Sequence, residues 1–431
     1  MKKKEFIPKP PIDTHGSWLK KLGPGLITGA ADDDPSGIAT YSQAGAQFGL
    51  NTLWTCFFTF PLMVGIQVIS AKIGRVSGHG LATNIRRHYP WPFLYGIVAL
   101  LMVANTINIA ADIAAMGAAM KLLIGGSAHF YAVGFGVASL LLQVFIPYKR
   151  YVRVLKWLTL VLLAYVATMF AVHIPWGQVI RQSLWPRLSW RPEYITMVVA
   201  IFGTTISPYL FFWQASQEVE ELEADPKAQA LIEAPNQARA SFSRIKIDTM
   251  VGMGFSNLIA FSIMLTTAVT LNLHGVTDIQ TSAQAATALR PIAGEFAFWL
   301  FSAGIIGTGM LAVPVLAGSA AYAVAGTFRW KNSLAAKPEA NKAFYSIITA
   351  ATLLGVLICF APIDPIKALI WSAVVNGVIS VPIMFIMMLM ASHKEIMGSF
   401  VIRPGLRVLG WSCTIAMTFA VIGMFWGMLA A

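Results

Sequence analysis

Eleven apolar stretches, each at least twenty residues long, run along this chain between short polar or basic connections, near 22–48, 52–72, 93–122, 128–147, 151–174, 194–219, 245–271, 295–326, 341–361, 366–391 and 406–429. About 20 residues of helix cross the roughly 30 Å hydrocarbon core of a bilayer. Inside it every backbone polar group must be paired within the structure, so helices and closed barrels are the only spanning forms. Only 12% of the residues are charged, against about 25% in soluble domains. The reading is an all-α integral membrane protein with about eleven transmembrane helices. The three cysteines, Cys56, Cys359 and Cys413, lie singly in apolar segments and suit packing rather than a disulfide framework.

The net charge of +12 would suit nucleic acid if the basic residues clustered on one surface, but they alternate between connections instead. With a cytoplasmic N-terminus, 25 of the 31 Lys and Arg fall on the inner side, beginning with Lys2, Lys3, Lys4, Lys9, Lys20 and Lys21. Lys149, Arg150, Arg153 and Lys156 follow in an inner loop, and the main exception is the longer outer loop with Arg181, Arg187 and Arg191. The charge is a topology signal, so no nucleic-acid partner is expected. The polar, basic start leads straight into the first span with no cleavable signal peptide. The predicted location is the cell (inner) membrane, with the N-terminus inside and, after eleven spans, the C-terminus outside.

Two spans are interrupted in the same way. The first reads GLITGAADDDPSG and the sixth MVVAIFGTTISPY. Pro35 and Pro208 each remove a backbone donor and push the preceding residue out of the helical region. Matching interruptions in two halves are the best sequence pointer to a transport site, and an odd five spans per half makes the halves inverted. The predicted organisation is a basic N-terminus (1–21), a first repeat of helices 1–5 (22–174), an outer loop (175–193), a second repeat of helices 6–10 (194–391), and a loop with helix 11 (392–431).

Three consecutive aspartates occupy the first interruption. A charge near the bilayer centre costs about 2.5–3.5 kcal/mol even on the milder scales, so Asp32, Asp33 and Asp34 require a function. At about 100° per residue, a continuing helix would turn Asp33 and Asp32 roughly 100° and 200° away from Asp34, and all three cannot bind one ion directly.

The run GPGLITGAADDDPSGIATYSQAGAQFG resembles the first helix of NRAMP-type divalent metal transporters, and Lys72-Ile-Gly-Arg-Val-Ser-Gly-His-Gly-Leu-Ala resembles that family's loop after helix 2. The resemblance implies a LeuT-like 5+5 inverted repeat with broken helices 1 and 6. It also implies a metal site made of Asp34, the carbonyls of Ala31 and Thr204, and the positions of Gly37 and Ser207. The departures carry the specificity. Gly37 stands where the family has a ligand asparagine, Ser207 where it has a ligand methionine, and Tyr209 where it has a histidine linked to protonation. In NIAADIAAMGAAM, Asp112 stands for a family aspartate implicated in proton transfer, with alanine (Ala114 or Ala115) where its glutamate partner would be.

These changes harden the site. A thioether favours Mn²⁺, Fe²⁺ and similar ions over Mg²⁺ or Ca²⁺, and serine supplies an oxygen instead. Loss of the asparagine enlarges the cavity. A partly hydrated Mg²⁺ is typically held by one or two carboxylates and several waters. The chain most resembles the NRAMP-related magnesium branch. The expected function is therefore import of Mg²⁺, with Mn²⁺ as a further substrate, by alternating access without proton coupling. The chain would act as a monomer in the bilayer, with no cofactor other than its substrate ion.

Asp32 and Asp33 could support a water in the site, line the vestibule, hydrogen-bond Asn105 or Asn108, or replace the lost proton carrier. Ser36 and Thr205 offer either ligands or partners for freed backbone groups. Gln67 and Asn376 face the interior as pathway residues or helix–helix contacts. The run Gln217 to Glu223 reads as a solvated charged face, and His79, His88, His129, His173, His274 and His393 show no metal-binding spacing. Met197, a possible soft ligand, lies ten residues before Ser207. Two alternatives remain: a proton-coupled Mn²⁺/Fe²⁺ importer, and an organic-solute carrier of amino-acid type, whose substrate carboxylate the aspartates would repel. No nucleophile, histidine pair or phosphate-binding glycine loop supports an enzyme.

Overall fold

The computed structural model describes residues 23–146, 159–361 and 364–430, and among them there is no strand. The N-terminal basic segment and Lys149, Arg150, Arg153 and Lys156 lie outside the described residues. The first apolar stretch forms two helices, α1 (Pro24–Asp32) and α2 (Pro35–Phe48). α3 (Trp54–Ser77), a short α4 (Leu81–His88), the 34-residue α5 (Trp91–Ile124) and α6 (Ala128–Phe145) follow. Next come α7 (Leu163–Ala171), α8 (Trp176–Leu184), α9 (Pro192–Thr205), α10 (Pro208–Ala224) and α11 (Ala238–Thr270). The chain closes with α12 (Ala297–Phe328), α13 (Lys342–Ile358), α14 (Pro365–Ser392) and α15 (Pro404–Ala430).

Among the described residues eight helical segments are long and apolar enough to cross a membrane, counting α9 and α10 as one, or nine with the pair Leu160–Ala171 and Trp176–Leu184, which bends by 118°. The other apolar stretches fall short for separate reasons. The first is cut into helices of 9 and 14 residues, and α13 has 17 residues. At about 1.5 Å per residue, α13 reaches about 25 Å, just under the hydrocarbon thickness.

The centre is built from α1, α2, α9 and α10, wrapped by α3, α5, α11, α12 and α14. The longest helices have apolar residues all round, which is how a helix buried on several sides reads. By contrast α6 and α15 keep many apolar side chains outward, among them Phe130, Phe145, Phe419 and Trp426, as a lipid-facing surface does. Close helix approach rests on small residues, as in membrane helix packing. A Cβ on Gly29 of α1 would overlap the Gly252 backbone of α11, and a Cβ on Gly252 would overlap the Gly25 backbone of α1.

Candidate functional site

Both interruptions follow from their prolines. α1 ends at Asp32, and Asp33 leaves the helix with φ −83° and ψ 45°. Asp34 is extended (φ −67°, ψ 170°), with Pro35 as the first residue of α2. In the second break Ile206 turns out of α9 (φ −124°, ψ 56°), Ser207 is extended (φ −78°, ψ 130°), and Pro208 begins α10. Each break frees carbonyls at one helix end and amides at the next. The carbonyl ends of α1 and α9 carry partial negative charge, the polarity that unwound transporter helices present to cations.

Asp34 is held from three directions. Its Oδ1 accepts the Gly37 amide at 2.8 Å and the Ser36 hydroxyl at 2.6 Å, so it caps the helix it precedes. Its Oδ2 accepts from Asn108 Nδ2 of α5 at 2.9 Å, with the Tyr209 hydroxyl 3.5 Å away. Ser36 therefore orients the aspartate. One α5 turn beyond Asn108, Asp112 is fully buried near Asp34 and the Ser36 backbone, and both its oxygens lack a hydrogen-bond partner among the described residues.

The carbonyls marked by the resemblance are each met by a hydroxyl. Tyr209 donates to the Ala31 carbonyl at 2.9 Å. Ser207 Oγ lies 2.7 Å from the Thr204 carbonyl and 2.8 Å from that of Gly203, and Thr205 Oγ1 lies 2.9 Å from the Ile201 carbonyl. Thr205 thus serves the backbone of α9. Each carbonyl keeps a second lone pair, and the Thr204 hydroxyl has no partner among the described residues. Gly37 brings the breaks together. A Cβ there would lie 3.0 Å from Thr204 Oγ1 and 3.3 Å from the Asp32 carbonyl. The enlarged cavity expected at Gly37 is therefore absent at that point, because the opposite break has closed on the missing side chain. The aspartates are 0, 1 and 2% exposed and Ser207 is 2% exposed, so the site is sealed from solvent.

Asp32 and Asp33 reach neither Asn105 nor Asn108. Ser256 of α11 holds both, with Oγ 2.6 Å from Asp32 Oδ2 and 3.1 Å from Asp33 Oδ1. Asn105 instead donates to the Leu316 carbonyl of α12 at 2.8 Å. One hydroxyl proton serves two carboxylates, leaving Asp32 Oδ1 and Asp33 Oδ2 unpaired. Gln67 donates to the Leu210 carbonyl at 3.0 Å, bracing the first turn of α10 rather than lining the break. Asn376 is buried on α14 with neither side-chain polar atom paired among the described residues. Met197 sits on α9 about 15 Å of helix from Ser207, too far for a ligand.

Two further groupings escaped the sequence. The Gln217–Glu223 run is not a solvated face: Glu218 is fully buried and bonded to Arg244 of α11, which also pairs with Glu221 at 3.1 Å. Nearby, Asp248 accepts the amides of Gly23, Gly25 and Leu26 at 2.7–3.0 Å and so caps α1. The alternation of acid and apolar residues in that run was the available signal. His88, His393 and Glu395 also converge, with ligand-type atoms within 4.8 Å of one another, although His88 is far from the other two in sequence and none belongs to either break.

The profile described as natural resistance-associated macrophage protein-like matches residues 25–427. A divalent metal cation transporter MntH from Klebsiella pneumoniae is 25% identical over 402 residues, covering 91% of this chain and 90% of that protein. The one from Yersinia enterocolitica is 25% identical over 416 residues and 94% of each. Among solved structures, a manganese transporter from Eremococcus coleocola superposes with TM-score 0.73 at 15% identity, covering 99% of this chain and 91% of that one. MhsT in complex with L-phenylalanine gives TM-score 0.57 at 12% identity over 94% and 98% of the two chains. The all-α, multi-span fold is thus of the LeuT-like kind, and this chain belongs to the Nramp family of divalent metal cation transporters.

Proposed function

We propose that this transporter imports Mg²⁺ through a site between the two helix breaks, by alternating access and without moving protons. The observation that carries the reading is the donor set around Asp34. Its carboxylate, the Ala31 and Thr204 carbonyls and the Ser207 and Thr204 hydroxyls are all oxygen. No thioether stands at position 207, and hard oxygen donors suit Mg²⁺. An inside-negative potential favours entry of a dication by about 4.6 kcal/mol per 100 mV, twice the unit-charge value, so uptake needs no second driving ion. Alanine at both 114 and 115, and tyrosine at 209, support the uncoupled reading.

The proposed architecture is eleven spans in two inverted halves, 22–174 and 194–391, with α1/α2 and α9/α10 as broken helices 1 and 6, an outer loop at 175–193 and an eleventh helix in 392–431. The N-terminus lies inside, the C-terminus outside, and the chain works as a monomer in the cell membrane. Asp34, Ala31, Thr204, Ser207 and the backbone around Gly37 hold the ion. Asp112, Asn376 and the Asp32–Asp33 pair line its path.

A second reading, proton-coupled Mn²⁺ import, draws on the relatives. The two MntH relatives are named divalent metal cation transporters, and the solved Eremococcus coleocola protein a manganese transporter. The unpaired oxygens of Asp32, Asp33 and Asp112 offer places for a proton. Influx of Mg²⁺ and Mn²⁺ into proteoliposomes, measured beside internal pH, separates the two. The magnesium reading expects Mg²⁺ entry with no acidification. Mn²⁺ entry with acidification and no Mg²⁺ flux would replace it with the second reading.

A further inference from the structure

Away from the breaks, α3, α11 and α15 border a groove with two chemically distinct ends. One end, a cavity of about 630 Å³, is walled by apolar residues that include Phe60, Val64, Val68, Met250 and Leu409. The adjoining cavity, about 700 Å³, shares Lys72, Phe242 and Arg403 with the first and adds Arg239. Lys246 stands on the rim of the apolar end. Four cations thus line the groove, and no Asp or Glu does. Among the described residues none of the four has an ion-pair partner. Lys72 instead lies over the Phe242 ring, 4.2 Å from its centroid, where the aromatic face attracts the ammonium. Met250 is 44% exposed on the apolar wall.

Unpaired cations at one end and an apolar channel at the other match one amphipathic occupant. We propose that this groove is a binding site for an anionic phospholipid, its phosphate among Lys72, Arg239, Lys246 and Arg403 and an acyl chain along α3 between α11 and α15. Basic pockets between membrane helices recognise lipid headgroups in this way. A zwitterionic lipid would bring a cation of its own among the four. A free phosphate would leave the apolar wall unused. The occupant would also join α11, which carries Ser256, to the segment before α15.

Native mass spectrometry of the purified full chain tests this, with dioleoyl phosphatidylglycerol and dioleoyl phosphatidylcholine competing in equal amounts and inorganic phosphate as a separate arm. Phosphatidylglycerol is expected to be retained in preference. Lys72→Gln with Arg403→Gln is expected to weaken retention on the order of 30-fold, about fivefold for each cation removed. Met250→Trp keeps all four cations and fills the apolar wall, so it too should lower retention, and it decides the matter alone if the double variant does not fold. Equal retention of the two lipids, displacement by inorganic phosphate, or full retention in Met250→Trp would each overturn the proposal.

Discussion

The Tyr209 hydroxyl donates to the Ala31 carbonyl at 2.9 Å, tying the residue after the second break to the end of the helix before the first. Tyr209 is itself held by Ser319 of α12, whose hydroxyl donates to its carbonyl at 2.8 Å. Any motion that opens the site must part Tyr209 from Ala31 or carry both together. The phenol stands where the family resemblance places a histidine, so a side chain that titrates near neutral pH gives way to one that stays a hydrogen-bond donor.

If the hydroxyl at position 207 makes the site hard, a thioether should soften it. Ser207→Met is expected to raise preference for Mn²⁺ over Mg²⁺ by about tenfold, equal to about 1.4 kcal/mol. Competition between the two ions for uptake in proteoliposomes measures it. An unchanged ratio would remove Ser207 from the ion's surroundings.

Ser256 carries the only side-chain hydrogen bond to either Asp32 or Asp33 among the described residues. Ser256→Ala leaves a buried, adjacent carboxylate pair with no donor, and should cost about 1–3 kcal/mol of stability. Thermal unfolding in detergent without divalent ions reports the loss. Added Mg²⁺ should recover part of it if the pair lies on the ion's path.

Arg244 neutralises the fully buried Glu218 and reaches Glu221. Removing one member of such a pair strands the other, at about 3–5 kcal/mol. Arg244→Ala should therefore lower the melting temperature far more than Arg239→Ala, an exposed cation on the first turn of the same helix. Equal melting temperatures would mean that Glu218 finds another partner.

The Gly29–Gly252 crossing leaves no room for a side chain. Gly29→Val should force α1 away from α11 and cost at least about 1–3 kcal/mol, the usual penalty for overpacking. Because α1 carries Ala31 to the site, transport should fall with it. Flux and membrane yield, compared with Gly275→Val at an open turn, check this. Gly275 has positive φ (82°) but no neighbour to meet, so that variant isolates backbone strain from helix packing.

Much of this was legible in the sequence because prolines and hydropathy act locally. Pro35 and Pro208 dictate where two helices stop, and the stops fall three residues before them, at Asp32 and Thr205. Apolar runs also mark the helices, though not how far each reaches, as the 17 residues of α13 show. What stayed hidden depends on contacts between different helices, from 26 to 224 positions apart. Ser256 is one of many hydroxyls in apolar segments, and only folding brings it 2.6 Å from Asp32. The burial of Glu218 follows from Arg244 arriving on a different helix. The closure of Thr204 on Gly37 follows from the crossing of the two breaks, which a residue-by-residue comparison cannot show.

Divalent-ion influx into proteoliposomes for wild type and Asp34→Asn tests the central claim most directly. Asparagine keeps an oxygen to cap α2, so the fold persists while the charge facing the ion is lost. Removing one partner of a buried charge pair costs about 2–5 kcal/mol, so Mg²⁺ influx at low concentration should fall on the order of 100-fold. Influx in Asp34→Asn equal to wild type would contradict the account, placing the ion away from the two breaks.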